Sequence, residues 1–255
     1  MTINGEFRRR VLAREFLAGS WLNLGSALTA EMAGQVGFDW VLLDHEHGPG
    51  GDETILHQLQ AIAATPTVGL IRIAANDHTR FKRVLDMGAH GVMIPYVSTP
   101  DEARAAVDAM RYPPRGSRGV AKGTRASGFG VRFDEYFAHA HEWLVTMPQI
   151  ETATGVEHSA EIAQIDGVDV LFVGPMDLTT SLGIPGEYLH ARSMEAFRHV
   201  ADCAAAAGKA AGILLLDAAH VPVFRDLGYT FIALGSDGGA VTAGLRANLA
   251  TLRRR

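Results

Sequence analysis

Eight short apolar runs, beginning near Ser20, Phe38, Val68, Gly91, Leu144, Val168, Ala211 and Tyr229, recur along the chain, with helix-patterned segments between most of them. Strands separated by helices must run parallel, because a tight hairpin joins only antiparallel neighbours. Eight parallel repeats close most simply into a (β/α)8 TIM barrel of the α/β class, and 255 residues fit that fold as a single domain spanning 1–255. A doubly wound open sheet is the alternative. Against it, no strand-to-helix turn carries G-x-G-x-x-G or a P-loop, and the glycines are spread over many loops. One helix start is legible residue by residue: Thr99, Pro100 and Glu102 supply an N-cap, an N1 proline and a capping-box acid for a helix over 99–111. One spacing is irregular, since about 33 residues, 111–143, separate the fourth helix from the fifth strand, and connections of that length are usually functional or interfacial. Its arginines, Arg115, Arg118, Arg125 and Arg132, could meet an anion or a neighbouring subunit, or simply be solvated.

Charge narrows the partners. With 23 Lys plus Arg against 28 Asp plus Glu, and basic triplets only at Arg8–Arg10 and Arg253–Arg255, the chain has no footprint for nucleic acid and no patch for a membrane surface. No run approaches the roughly 18 apolar residues of a membrane span. Cys203 is the only cysteine, and the opening MTINGEFRRR lacks the apolar stretch of a secretory signal, so the cytoplasm is the expected location.

In such a barrel the active site lies at the C-terminal ends of the strands, so the polar residues that terminate the apolar runs are the candidates. FDWVLLDHEHG ends in Asp44, His45, Glu46 and His47; TVGLIRIA carries Arg72; LVTMPQIE ends in Gln149 and Glu151; VDVLFVGPMD ends in Asp177. Alternation along a strand puts Val68, Leu70 and Arg72 on one face and Val145, Met147, Gln149 and Glu151 on another. An arginine inside an apolar barrel is costly unless paired or facing a ligand. Glu151 and Asp177, 26 residues or one βα repeat apart, would stand side by side at the mouth. As an acid/base pair they could hydrolyse a glycoside, but sugar subsites want aromatic platforms and only 7% of the chain is aromatic. As ligands they suit Mg2+ or Mn2+, with Co2+ as a third choice; as caps of the following helices they would be structural. The His45 and His47 pair could hold zinc in an amide or ester hydrolase, although later strand ends offer acids where such a site wants more histidines; alternatively, one histidine beside a carboxylate can serve as a general base. Lys82, Lys122 and Lys209 are the only lysines and none ends a strand, which argues against Schiff-base chemistry. A non-catalytic barrel that binds a keto acid is a third class.

LLDHEHGP, IRIAANDHTRFKRVLDMGAHGVMIPYV, RYPPRGSRGV, PQIET and FVGPMDL resemble, in order and from about Gly19 to Arg246, the HpcH/HpaI class II pyruvate aldolases, among them 4-hydroxy-2-oxoheptanedioate and 2-keto-3-deoxy sugar acid aldolases. The resemblance implies a divalent-metal aldolase that cleaves 4-hydroxy-2-oxo acids to pyruvate, or hydroxypyruvate, and an aldehyde. It assigns Glu151 and Asp177 to the metal, and Gln149, Met176, Gly174, Pro175, Trp21 and Leu214 to the substrate. It makes His47 the base and Arg72 the enolate stabiliser, and gives Asp86 the task of raising the basicity of His47. Asp86 ends the third helix of the pattern, near the opposite end of its own barrel, so the resemblance implies that it serves a neighbouring subunit. The implied assembly is a homohexamer whose last helix, here the amphipathic segment 239–252, is exchanged. His45 and Ser236 depart from the common family pattern, where glycine and an apolar pocket wall are usual.

Overall fold

A computed structural model of the chain describes residues 3–254. In order it contains α1 (Glu6–Leu12), β1 (Leu17–Leu22), α2 (Ala27–Val36), β2 (Trp40–Asp44), α3 (Asp52–Ile62), β3 (Val68–Arg72), α4 (His78–Asp86), β4 (Gly91–Ile94), α5 (Pro100–Met110) and α6 (Phe133–Trp143). There follow β5 (Val145–Ile150), α7 (Ala153–Glu157), α8 (Ser159–Ala163), β6 (Val170–Val173), α9 (Pro175–Ser181), α10 (Ala191–Ala206), β7 (Ala210–Leu215), α11 (Val221–Asp226), β8 (Phe231–Ser236) and α12 (Asp237–Arg253). The eight strands form one closed parallel barrel, sealed where β1 pairs with β8. This is the (β/α)8 fold that the eight apolar runs predict.

Side-chain alternation divides the strands between two cores. Trp40, Leu42, Val68, Leu70, Met93, Val145, Met147, Val170, Phe172 and Phe231 fill the barrel interior, while Val41, Leu43, Ile71, Val92, Leu171 and Ile213 face the helices. The interior interdigitates large residues with small ones. The Trp40 indole stacks on Phe231 with ring centroids 4.1 Å apart, in space left by Gly19, where a Cβ would overlap the indole. Phe7 and Val11 of α1 join this inner core, and Arg8 of the same helix forms a 2.8 Å ion pair with fully buried Asp169. At α5, Thr99 Oγ1 accepts from the Glu102 amide at 3.3 Å and Glu102 Oε2 accepts from the Thr99 amide at 3.0 Å, the reciprocal cap that the sequence predicts.

Segment 111–143 is not one long loop, because α6 occupies its last third. Nor does the segment approach the mouth: it joins a helix to the following strand, and such connections lie at the N-terminal face. Two of its arginines are committed to this chain's own fold. Arg118 is fully buried, 4.4 Å over the Tyr112 ring, and bonds the Tyr136 hydroxyl at 3.1 Å and Asp86 at 2.8 Å. Arg125 donates to the Met87 and Leu59 carbonyls at 2.8 and 3.3 Å. Among the described residues no helix is long and apolar enough to cross a membrane.

Candidate active site

Asp44 and Arg72 end adjacent strands and face each other in the β2–β3 register. Asp44 Oδ1 accepts from Arg72 Nε at 3.0 Å and Oδ2 from Nη2 at 2.7 Å. The remaining acceptor capacity of Asp44 goes to Trp21 Nε1 at 3.1 Å and to the Glu46 and His47 amides at 3.1 and 3.2 Å. Burial disfavours the Asp44 carboxylate, but Arg72 and the two amides outweigh it and hold the group below the usual carboxylate range. Glu46 takes the other arm of the guanidinium, with Oε2 2.8 Å from Arg72 Nη1. The Trp21 ring lies 4.9 Å from Arg72 Cζ. The arginine is therefore both paired and stacked.

Glu151, at the end of β5, and Asp177, in the first turn of α9, face one another across Tyr96. Glu151 Oε1 accepts from the Tyr96 amide at 2.7 Å, and Asp177 Oδ1 accepts from the Tyr96 hydroxyl at 3.1 Å. Burial pushes the Glu151 carboxyl up to about 8; the Tyr96 amide opposes this, and the charges of Asp177 and Glu46 add to it. Glu46 is likewise raised, chiefly by burial, against the pull of Arg72. Gly174 leaves room here for the carboxylate, because a Cβ at that position would overlap Glu151 Oε2. Gln149 Oε1 is buried without a partner.

Four carboxylates, Asp44, Glu46, Glu151 and Asp177, thus share one mouth with Arg72, the single interior cation there among the described residues. Asp44 is saturated by five donors, whereas Glu151 and Asp177 each use one oxygen and leave the other open. An all-oxygen donor pair beside an orphaned amide oxygen fits a hard divalent cation that keeps water and substrate oxygens in its remaining positions. Among the described residues no group of three or more His, Cys, Asp or Glu converges as a metal-binding cluster.

Of the other sequence candidates, Pro175 and Met176 occupy the first turn of α9, Pro175 buried and Met176 half exposed, and Leu214 packs on the inner core at β7. His47 sits on the mouth with its side chain 72% exposed and Nε2 4.0 Å from Glu46. The proposed zinc pair fails on geometry. β2 stops at Asp44, so strand alternation does not carry on to 45 and 47, and His45 turns instead into the cleft with Asp52, Asp77 and Arg80. Ser236 is explained by the fold, since its Oγ caps α12 by accepting from the Gly239 amide at 3.1 Å. Asp86 is not brought to this mouth. It pairs with Arg118 at 2.8 Å and borders an open cleft of about 690 Å³ with Asp52, Lys82, Arg125 and Phe129. Asp44, Glu46 and Tyr96 were not among the assigned site residues. The first two carried a signal in the polar end of the β2 run; Tyr96 carried none.

A barrel whose strand ends gather acids around one arginine, with no lysine among them, argues against Schiff-base chemistry and offers oxygen ligands to a divalent cation. Comparison with known proteins agrees. Residues 17–243 match the HpcH/HpaI aldolase/citrate lyase family. The chain is 40% identical over 97% of its length to a hydroxypyruvate/pyruvate aldolase from Delftia acidovorans, covering 92% of that protein. It is 38% identical over 93% of its length to a 5-keto-4-deoxy-D-glucarate aldolase from Salmonella paratyphi C, again covering 93%. A crystal structure of a family member from Burkholderia cenocepacia superposes with a TM-score of 0.94 at 37% identity, over 98% of this chain and all of that one. The chain belongs to the HpcH/HpaI aldolase/citrate lyase family, and it is an aldolase, a carbon–carbon lyase.

Proposed function

We propose that the chain cleaves 4-hydroxy-2-oxo acids reversibly to pyruvate or hydroxypyruvate and an aldehyde, with Mg2+ or Mn2+, or Co2+ in their place, held by Glu151 and Asp177. The observation that carries this reading is the open oxygen on each of those two acids beside the clamped Arg72. When bound, a divalent cation supplies Lewis-acid polarisation of the donor's keto group.

The protein's own residues do the rest. Asp44 fixes the guanidinium plane with Glu46 as a second counter-charge, and the terminal nitrogens of Arg72 keep N–H groups for the oxygen on which enolate charge develops. His47 moves the proton between the C4 hydroxyl and solvent, and its exposure gives that proton a way out. Gln149 orients the donor acid by donating from its NH2. Trp21, Leu214, Gly174, Pro175 and Met176 shape the cavity around it.

Asp86 would raise the basicity of His47 from a neighbouring subunit, in a homohexamer that exchanges α12. Two features support an assembly: Asp86 borders an open cleft, and α12 buries no residue while exposing Val241, Leu245, Leu249 and Leu252 along one side. The test of function is proton NMR of pyruvate in D2O. Loss of the methyl signal that requires added Mg2+ or Mn2+ is the expected result; exchange that survives metal stripping, or no exchange at all, would overturn the proposal.

A further inference from the structure

Tyr96 lies in the β4–α5 connection with φ at 52°, the left-handed region that a residue with a Cβ adopts only at a cost in free energy. Such strain persists where surrounding structure enforces it, and it clusters at functional sites. Three bonds enforce it here. The chain is tied back to β5 immediately afterwards, where the Val97 amide donates to the Gln149 carbonyl at 3.2 Å. In the same turn the Tyr96 amide reaches Glu151 Oε1 at 2.7 Å, while its phenol reaches Asp177 Oδ1 at 3.1 Å. One residue therefore holds two acids that come from different βα units, and it remains 53% exposed as a whole, so packing alone does not account for its placement.

We propose that Tyr96 is a positioning residue for the divalent cation, engaging one oxygen of each acid so that Glu151 offers only Oε2 and Asp177 only Oδ2. This inference rests on the metal reading of the site given above. An octahedral ion has six positions. Two single-oxygen ligands leave four of them, enough for a chelating 2-oxo acid and two waters, whereas two bidentate acids would leave only two. Gly174 acts in the same sense, because its missing Cβ keeps the space beside Glu151 Oε2 clear. The hydroxyl, not the ring, is the part that matters.

The experiment is a Mn2+ titration of the metal-stripped full-length protein without substrate, followed by calorimetry and by Mn2+ EPR. Outer residues that orient ligands are worth about 10- to 100-fold in metal affinity. Tyr96→Phe keeps the amide donor and loses the phenol, so its Mn2+ affinity should fall about tenfold with a broadened EPR spectrum. Tyr96→Gly also keeps the amide and relieves the positive φ, so it should melt no lower than wild type yet bind Mn2+ as weakly as the Phe variant. Affinities within twofold of wild type and unchanged spectra in both variants would overturn the role of Tyr96. A wild-type protein that binds no Mn2+ at all would instead sink the metal reading itself, which separates the two failures.

Discussion

The Arg72 guanidinium meets the Asp44 carboxylate edge to edge, Nε to Oδ1 at 3.0 Å and Nη2 to Oδ2 at 2.7 Å, and the register of β2 against β3 sets the two residues opposite each other. Such two-point pairs fix a plane as well as a charge. Arg72 is therefore pre-aimed before any substrate arrives, with no reorganisation left for the reaction step.

Arg72→Ala should lower kcat for retro-aldol cleavage about 10²- to 10³-fold, as loss of a preorganised donor does. Arg72→Lys keeps the charge but not the fork that Asp44 and Glu46 grip, so it should recover only a minor part of the loss. Steady-state kinetics at saturating metal, beside a thermal melt of each variant, decide it; pyruvate proton exchange within a few-fold of wild type in the Ala variant would remove Arg72 from the mechanism.

Gly174→Ala tests the cradle. The added Cβ would overlap Glu151 Oε2, so the carboxylate must turn away from its place beside Asp177. Mn2+ affinity should drop about 10- to 100-fold, on the scale seen when ligand orientation is lost. Since residue 174 has a negative φ of −91°, alanine fits its backbone, and far-UV circular dichroism should be unchanged.

Much of this was legible in the sequence, for identifiable reasons. The eight strands follow from two-residue alternation between the barrel interior and the helix layer, and the start of α5 from a cap whose three residues each have one job. That Arg72, Glu151 and Asp177 meet at the mouth was legible because they end, or closely follow, apolar strand runs. Tyr96 was not: its role depends on a left-handed backbone turn and on contacts to two acids 55 and 81 residues away. The internal role of Arg118 was not legible, because sequence shows a charge but not the two tyrosine rings that bury it. Helix α6 was hidden because Arg132, at its N-cap, makes no side-chain cap bond.

The raised Glu151 carboxyl gives a signed pH dependence. Between its ordinary value of 4.5 and about 8 in the fold, a shift caused first by burial, the metal-free folded chain keeps a proton that the unfolded chain has lost. This contribution to stability is full below 4.5 and is lost as pH rises through about 8. Cation binding runs the other way, since it needs the carboxylate. Mn2+ affinity should rise about tenfold per pH unit up to about 8, with one proton released per ion, and level off above it with none released. Calorimetric titrations at pH 6, 7, 8 and 9 in buffers of different ionisation enthalpy read both; a flat profile would mean that Glu151 is not displaced from its proton by the ion.

Arg118 belongs to the fold rather than to an anion site, and its removal should register as stability. The side chain is fully buried, stacked on Tyr112 and hydrogen-bonded to the Tyr136 hydroxyl and to Asp86. Arg118→Ala opens a cavity, strands the buried tyrosine hydroxyl and leaves Asp86 without its cation. Asp86 keeps a quarter of its side chain in solvent, so the cost comes mainly from the cavity and the stranded tyrosine hydroxyl, roughly 2 kcal/mol or more. Urea unfolding should therefore show a midpoint well below wild type at every protein concentration, with Mn2+ affinity per folded chain unchanged, because the pair lies at the opposite end of the barrel from Glu151. A wild-type midpoint would return Arg118 to the candidates for a subunit contact.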